Sequence, residues 1–405
     1  MWFFAIVYMV EGIGQARVGF IAQPLTYFLK QSGWTPVQVT AYLAVLNLPW
    51  VIKPVWGIIS DFVPLFGYRR KSYLMIANAA AAVAFGAIAR ITSPGPMAIF
   101  LSLTAYGMAI ASTICGALLV ENGQRFQASG PFVNQQWLWF NVATLASAIT
   151  GGELAQHLPS ATALSVAAVA SAVAPAAAFI ATPILVEEAR RPIDIPELKR
   201  TVASLFAAFR SRTLWLIGAF LFLYSFSPGF GTPLYFYMTD RMRFSQAYIG
   251  FLTAIASAGW IVGALFYQRL LQGMTLRALL NLSILCGTVS TASFLLLSNE
   301  INAALLNFGN GAAGMIANLA TLTLAADSCP KRSEGFVFAA LMSIINAAAP
   351  ADNTFGAFLY EHVFNRRLAP LIVVAAVFTA FAFVLVPLLR LGDRRQGEPV
   401  GTAAG

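Results

Sequence analysis

The chain has 405 residues, of which 59% are hydrophobic and 10% charged, whereas a soluble domain averages roughly 45–50% apolar and 25% charged residues. A water-soluble fold is excluded, and so is one oversized core, because soluble cores stop growing near roughly 250–300 residues. The 25 basic against 16 acidic residues do not signal nucleic-acid binding, since they cluster in short loops between apolar runs, as Lys and Arg do where they hold loops on the cytoplasmic side.

Windows long enough to cross a bilayer, about 20 apolar residues each, fall at 2–28, 36–60, 71–92, 96–121, 131–154, 161–186, 213–237, 245–267, 275–298, 302–326, 334–361 and 368–391. The first carries Glu11 and Arg17 and has no basic stretch before it, so it reads as a spanning helix and not as a cleaved signal. An even number of spans puts both termini on one side. With both in the cytoplasm, 17 Lys and Arg fall in inner loops against 6 in outer ones, the asymmetry of the positive-inside rule. The expectation is an integral protein of the plasma (inner) membrane.

Ionisable residues in mid-bilayer are costly and mark functional candidates; Glu11, Arg17, Lys53 and Asp352 qualify. Glu11 and Arg17 flank the sequence GIGQA, whose Gly12 and Gly14 weaken the first span and let it unwind around a substrate. Glu11 reads as a proton-coupling carboxylate, the alternative being a structural ion pair with Arg17 or Lys53. Lys53 lies between Pro49 and Pro54, where freed backbone carbonyls offer partners; it reads as a binder of an anionic substrate.

Residues 49–73, PWVIKPVWGIISDFVPLFGYRRKSY, run from the second span into the next inner loop. Gly57 permits close approach of a neighbouring helix, Asp61 accepts charge-assisted hydrogen bonds, and after Gly67 the guanidinium groups of Arg69 and Arg70 supply rigid donors. Such a cluster can latch the cytoplasmic side. The plain alternative is positive-inside anchoring by Arg69, Arg70 and Lys71.

Amides follow along the chain. Asn134 and Asn141 share a face of the fifth span; Asn307, Asn310, Gly314 and Asn318 form one stripe of the tenth; Asn346 and Asn353 share a face of the eleventh, beside Asp352. Amides match the edge of a heterocycle, but they also glue membrane helices together. The seventh span carries Tyr224, Ser225, Ser227, Pro228, Gly229, Gly231, Pro233, Tyr235 and Tyr237, a breakable helix with aromatic faces on which a planar ligand can stack.

Matching residues recur at half the chain length. Gly57 and Gly67 return as Gly263 and Gly273, and Glu121 and Arg125 as Asp327 and Lys331, all at offset 206; Asn141 and Gly151 return as Asn346 and Gly356 at 205. The charged pairs extend the expected cytoplasmic gate, unless they are ordinary helix-end salt bridges. The reading is an all-α membrane protein of twelve transmembrane helices in two pseudo-symmetric six-helix bundles, 1–186 and 213–392. Between them runs an amphipathic cytoplasmic linker, 187–212, with Leu198, Val202, Leu205, Phe206 and Phe209 on its apolar face. A disordered tail, 393–405, follows the second bundle.

The loop string around Gly57, Asp61, Gly67 and Arg69-Arg70 resembles the signature of the major facilitator superfamily. More specifically, YFLK at 27–30, PWVIKPVWGIISD, PLFGYRRKSYL and EGFVFAALMSIINA at 334–347 resemble the folate-biopterin transporter family. The resemblance implies a twelve-helix transporter, in that family moving folates or pterins; no cofactor is expected. Family members associated with folate transport carry acidic residues at positions equivalent to Ser112 and Gly116, so this chain departs from them there.

No nucleotide-binding loop of the GxxxxGK[ST] kind is present, leaving an ion gradient or substrate exchange as the driver. Cys115, Cys286 and Cys329 have no metal-ligand spacing, and His157 and His362 have no carboxylate cluster beside them, so neither a metal site nor an enzyme is expected. The expected partners are a small-molecule substrate, the lipid bilayer and protons, with a monomeric protein. The competing functions are those of a facilitator-fold transporter of a different solute and of a non-transporting assembly factor for pigments or membrane proteins.

Overall fold

With no water in a bilayer core, each apolar run must satisfy its backbone within itself, and helices result. The computed structural model describes residues 2–125, 129–187, 210–271, 273–328 and 334–389, with Pro196, Lys199 and Ala203; side chains at 120, 121, 123–135, 137 and 334–336 fall outside that description. The linker's apolar face at 198–209 and the tail from Asp393 also lie outside the described residues.

The first span is split into α1 (Trp2–Gly14) and α2 (Ala22–Gln31), and the second into α3 (Pro36–Val51) and α4 (Lys53–Phe62). Spans three to six are α5 (Lys71–Ile88), α6 (Pro94–Arg125), α7 (Ser129–His157) and α8 (Ser160–Ala181). The seventh is split again, into α9 (Arg212–Ser225) and α10 (Gly231–Asp240). The rest are α11 (Gln246–Phe266), α12 (Leu276–Ser293), α13 (Glu300–Asp327), α14 (Glu334–Phe358) and α15 (Leu368–Leu385). The twelve spans thus stand where apolar windows predict them. Short polar residues start several of them: Thr35 makes a capping box with Gln38, and Ser245, Thr275 and Asn299 cap α11, α12 and α13, each satisfying a backbone N–H that has no helical partner.

The breaks have legible causes. After Gly14 the chain turns non-helical, with Gly19 N–H donating to Gln15 O at 2.7 Å and Phe20 N–H to Ile13 O at 2.8 Å. In the seventh span the break covers Ser227-Pro228-Gly229, where proline withholds a donor and Gly229 N–H finds the Asp352 carbonyl instead, at 2.9 Å.

Packing repeats between the halves. Span one lies on five (α1 on α7) as seven lies on eleven (α9 on α14); three lies on four (α5 on α6) as nine lies on ten (α12 on α13); two lies on four (α3 on α6) as eight lies on ten (α11 on α13). The halves join by α7 on α11 and α3 on α14, contacts that exchange under the same two-fold rule. The glycines matched in sequence perform matching tasks: a Cβ on Gly151 would sit 3.0 Å from Phe20 O beside the first break, and one on Gly356 would strike Gly229 O at the second. In each half, a glycine of the fifth helix seats the broken first helix.

The core is lopsided along the membrane normal. One apolar cluster runs from Phe4, Tyr8 and Leu25 of the first half into Leu234, Phe236, Ile249 and Phe294 of the second. Another, including Leu221, Leu280 and Leu324, stays within the second half. The halves are therefore fused at the end holding the 32–35 loop and separate toward the end holding the 63–70 loop.

Candidate functional site

Between the halves lies a cavity of about 2120 Å³. It runs from the two helix breaks to a rim formed by Asp61, Pro64, Arg69 and Arg70, and at the other end it stops against Tyr235, Met238, Ile249 and Phe294.

Three of its central charges come from the first half. Glu11, near the end of α1, is 9% exposed; Gln15 Nε2 donates to its Oε1 at 3.4 Å, while Oε2 is buried with no hydrogen-bond partner. Lys53 opens α4, where the chain has paused at Ile52, and its Nζ donates to Ser112 Oγ at 2.9 Å and lies 4.3 Å from the Trp50 ring centroid. Glu11 and Lys53 attract one another, and Ser112 interacts with the carboxylate as well. Arg17, within the first break, faces Asp352 of α14 electrostatically across the two halves. Asp352 is held in place twice: its backbone carbonyl accepts from Gly229, and its Oδ1 accepts from Asn353 Nδ2 at 2.6 Å. All four residues line the cavity.

The amides divide by task. Asn141 is buried at the cavity wall. Asn307 donates to Ala303 O at 2.8 Å, Asn310 accepts from Ser290 at 3.1 Å, and Asn318 Nδ2 is buried without a partner; all three line the second half's side. Asn346 bridges the halves instead, its side-chain amide donating to Trp50 O at 3.2 Å and its backbone carbonyl accepting from Asn47 Nδ2 at 2.9 Å. Tyr224 lies away from the cavity: its hydroxyl donates to Ser283 Oγ at 2.8 Å and its ring stacks on Phe220, because that face of α9 turns toward α12.

The loop cluster is built as a unit. Phe66 and Gly67 both have positive φ (50° and 86°) inside a two-residue turn closed by reciprocal Leu65 and Tyr68 hydrogen bonds, a conformation that glycine tolerates best. Asp61 Oδ1 pairs with Arg70 Nη2 at 2.8 Å, and Arg70 Nη1 donates to Ser60 Oγ at 3.3 Å. Arg69 stands beside them at the cavity rim. Gly57 lines the cavity and has only Thr113 Cγ2 near a would-be Cβ, at 3.7 Å, so the close helix approach expected there is not made in this open arrangement. Glu121, Arg125 and Lys331 lie outside the described side chains; Asp327 ends α13 on the same side.

Sequence reasoning missed Glu187, which it assigned to the linker. Its carboxylate accepts from the backbone N–H of Arg69 (2.7 Å), Arg70 (3.0 Å) and Lys71 (2.8 Å), occupying the positive end of α5. Its position three residues past Ile184, where span six ends, was the available signal. Glu187→Gln is expected to destabilise the protein by about 1–3 kcal/mol, the worth of charge-assisted bonds, read as a lower Tm in detergent; an unchanged Tm would contradict this account.

Also missed were the ties closing the far end. Lys30 bonds Asp240 and Thr239. Gln23 Nε2 donates to Gln246 O at 2.6 Å and Oε1 at 3.1 Å, Tyr235 donates to the same Oε1, and Gln246 N–H donates to Gln156 Oε1 at 2.9 Å. Among the described residues no cluster of His, Cys, Asp and Glu could hold a metal.

Two six-helix halves about a central cavity, open at one end, define a transporter of the major facilitator fold. The nucleoside transporter NupG shares it, with a TM-score of 0.68 at 14% identity over 96% of this chain and 98% of that one. So does the xylose transporter XylE from E. coli in its inward-open conformation, at 0.70 and 10% identity over 98% and 96%. Residues 14–398 match the BT1 family, and the chain belongs to it. A folate-biopterin transporter of Synechocystis sp. is 27% identical over 96% of this chain and 81% of its own length. Folate transporter 2 of Plasmodium falciparum is 24% identical over 95% and 87%. These relatives are transporters, and this chain is a transporter and not an enzyme.

Proposed function

We propose that the protein carries a folate- or pterin-like anion across the plasma membrane by alternating access, together with protons, and that the arrangement described is the state open to the cytoplasm. The observation that carries the reading is the division of the cavity wall. Cations, Lys53 and Arg17, project from the first half, while the amides Asn307, Asn310 and Asn318 line the second. A solute with an acidic tail and a flat, amide-like heterocyclic edge matches both walls. The four central charges form two opposite pairs, so an entering anion leaves an excess negative charge in a low-dielectric site unless a proton comes with it. Glu11, with one oxygen unpartnered, and Asp352 are the candidate proton carriers. The relatives named as folate transporters support the solute class, and the cavity's opening at the rim of Asp61, Arg69 and Arg70 supports the state. Both termini then lie in the cytoplasm, and Asp61 and Arg70, here paired with each other, supply with Arg69 the latch of the opposite state.

Proteoliposomes containing the purified protein test this. Labelled folate or pterin is expected to accumulate when the outside is made acidic, and less so without a gradient. Accumulation of an unrelated solute instead would keep the mechanism and discard the pterin.

A further inference from the structure

The surroundings of Lys53 are uneven. One side of its ammonium group is covered by the Trp50 ring and one proton is given to Ser112. Among the described residues no carboxylate lies within ion-pair distance of Nζ, although the cation is partly buried. Glu11 attracts it from one flank and keeps an oxygen buried and unpartnered. One helical turn beyond Ser112 on α6, Gly116 also lines the cavity, and a Cβ built there would meet nothing within 4 Å. The wall beside Lys53 is therefore recessed at Gly116, one turn from the Ser112 that the ammonium bonds, and a donor without an ion-pair partner borders the recess.

From this we infer that Lys53, Ser112 and Gly116 form an oxyanion subsite, which receives a carboxylate-like group of the solute at the recess over Gly116. Lys53 supplies charge, the Ser112 hydroxyl fixes the ammonium toward α6, and the missing side chain at 116 supplies room. A side chain at 116 would occupy the oxyanion's place, and an acidic one would take the ammonium for itself. The inference rests on the cavity being the solute path, and it adds where on the wall the anionic end docks.

Its test avoids any assumption about which solute is carried. In a chain whose three cysteines are replaced by alanine, Gly116→Cys places a thiol in the recess. Its rates with a sulfonate-bearing and a trimethylammonium-bearing methanethiosulfonate are measured in proteoliposomes and divided by those of a small free thiol. The normalised anionic-to-cationic ratio is expected to exceed unity by about tenfold, as an unscreened nearby cation dictates, to fall toward unity when Lys53→Gln is added, and to survive Lys53→Arg. A second thiol, Ala256→Cys on the second half's wall, is expected to show no response to Lys53→Gln, which guards against global disturbance. A ratio at 116 near unity, or one indifferent to Lys53→Gln, overturns the subsite. Because neither reagent is a transported solute, that outcome is distinct from a failure of folate uptake.

Discussion

Glu11→Gln is expected to abolish proton-driven uptake while leaving exchange of internal for external solute intact. Gln has nearly the size of Glu and can still take the hydrogen bond from Gln15, so the packing of α1 against α7 is preserved. What it cannot do is alternate between charged and neutral. In the native cavity Glu11 and Lys53 attract one another, and under the proposed coupling a proton on the carboxylate would free the cation for an incoming anion. The titratable groups around it are Tyr8 on its own helix, Lys53 of α4 and Cys115 of α6, with Ser112 beside them, while α7 lines the cavity with the uncharged Asn141 and Thr144. With Gln at 11 the binding-ready state is permanent, so exchange runs and the gradient has no handle. The measurement is accumulation under an imposed gradient beside counterflow under none. Wild-type accumulation in the variant would remove Glu11 from the coupling and leave Asp352.

Gly250→Leu is expected to drive the halves apart at their closed end. A Cβ on Gly250 would stand 2.9 Å from Gly152 Cα and strike Ala148 O, both on α7, so the α7–α11 crossing leaves no room for any side chain. Overpacking of this kind costs about 1–3 kcal/mol, and each 1.4 kcal/mol shifts a two-state population about tenfold. The neighbouring Gln23–Gln246 bonds stretch with the crossing. Thiols placed in the cavity should then become less accessible from the motif-loop side and more so from the far side, with transport largely lost. Unaltered accessibility with normal uptake would show that this crossing does not bear on the closed end.

Span positions were legible because a bilayer imposes a length and a polarity on each run, and those constraints act locally along the sequence. The breaks were legible too, since Gly14 and Ser227-Pro228-Gly229 weaken a helix whatever surrounds it. The repeat could be read from offsets because Gly151 and Gly356 are constrained by the same contact in each half. Within the site, Glu11, Lys53, Arg17 and Asp352 announced themselves through the cost of charge in lipid. Tyr224 was misjudged as a cavity residue because aromatic content does not reveal which way a helix is turned. Lys30 stood inside the YFLK string without a role, as its partners Thr239 and Asp240 are some 210 residues away and no local pattern links them. Glu187 failed to stand out for a different reason: a carboxylate in a polar loop is ordinary until three backbone N–H groups are seen converging on it.

Trp50 joins two events that would otherwise be independent. Its carbonyl accepts from Asn346 across the seam between α3 and α14, and its ring covers the Lys53 ammonium. Any motion that parts α3 from α14 breaks that bond and releases the residue whose indole shields the cation. If α3 and α14 part in the proposed cycle, hydration of the ammonium would follow the opening of that seam, and emission of the indole, which responds to its surroundings, is expected to change with it.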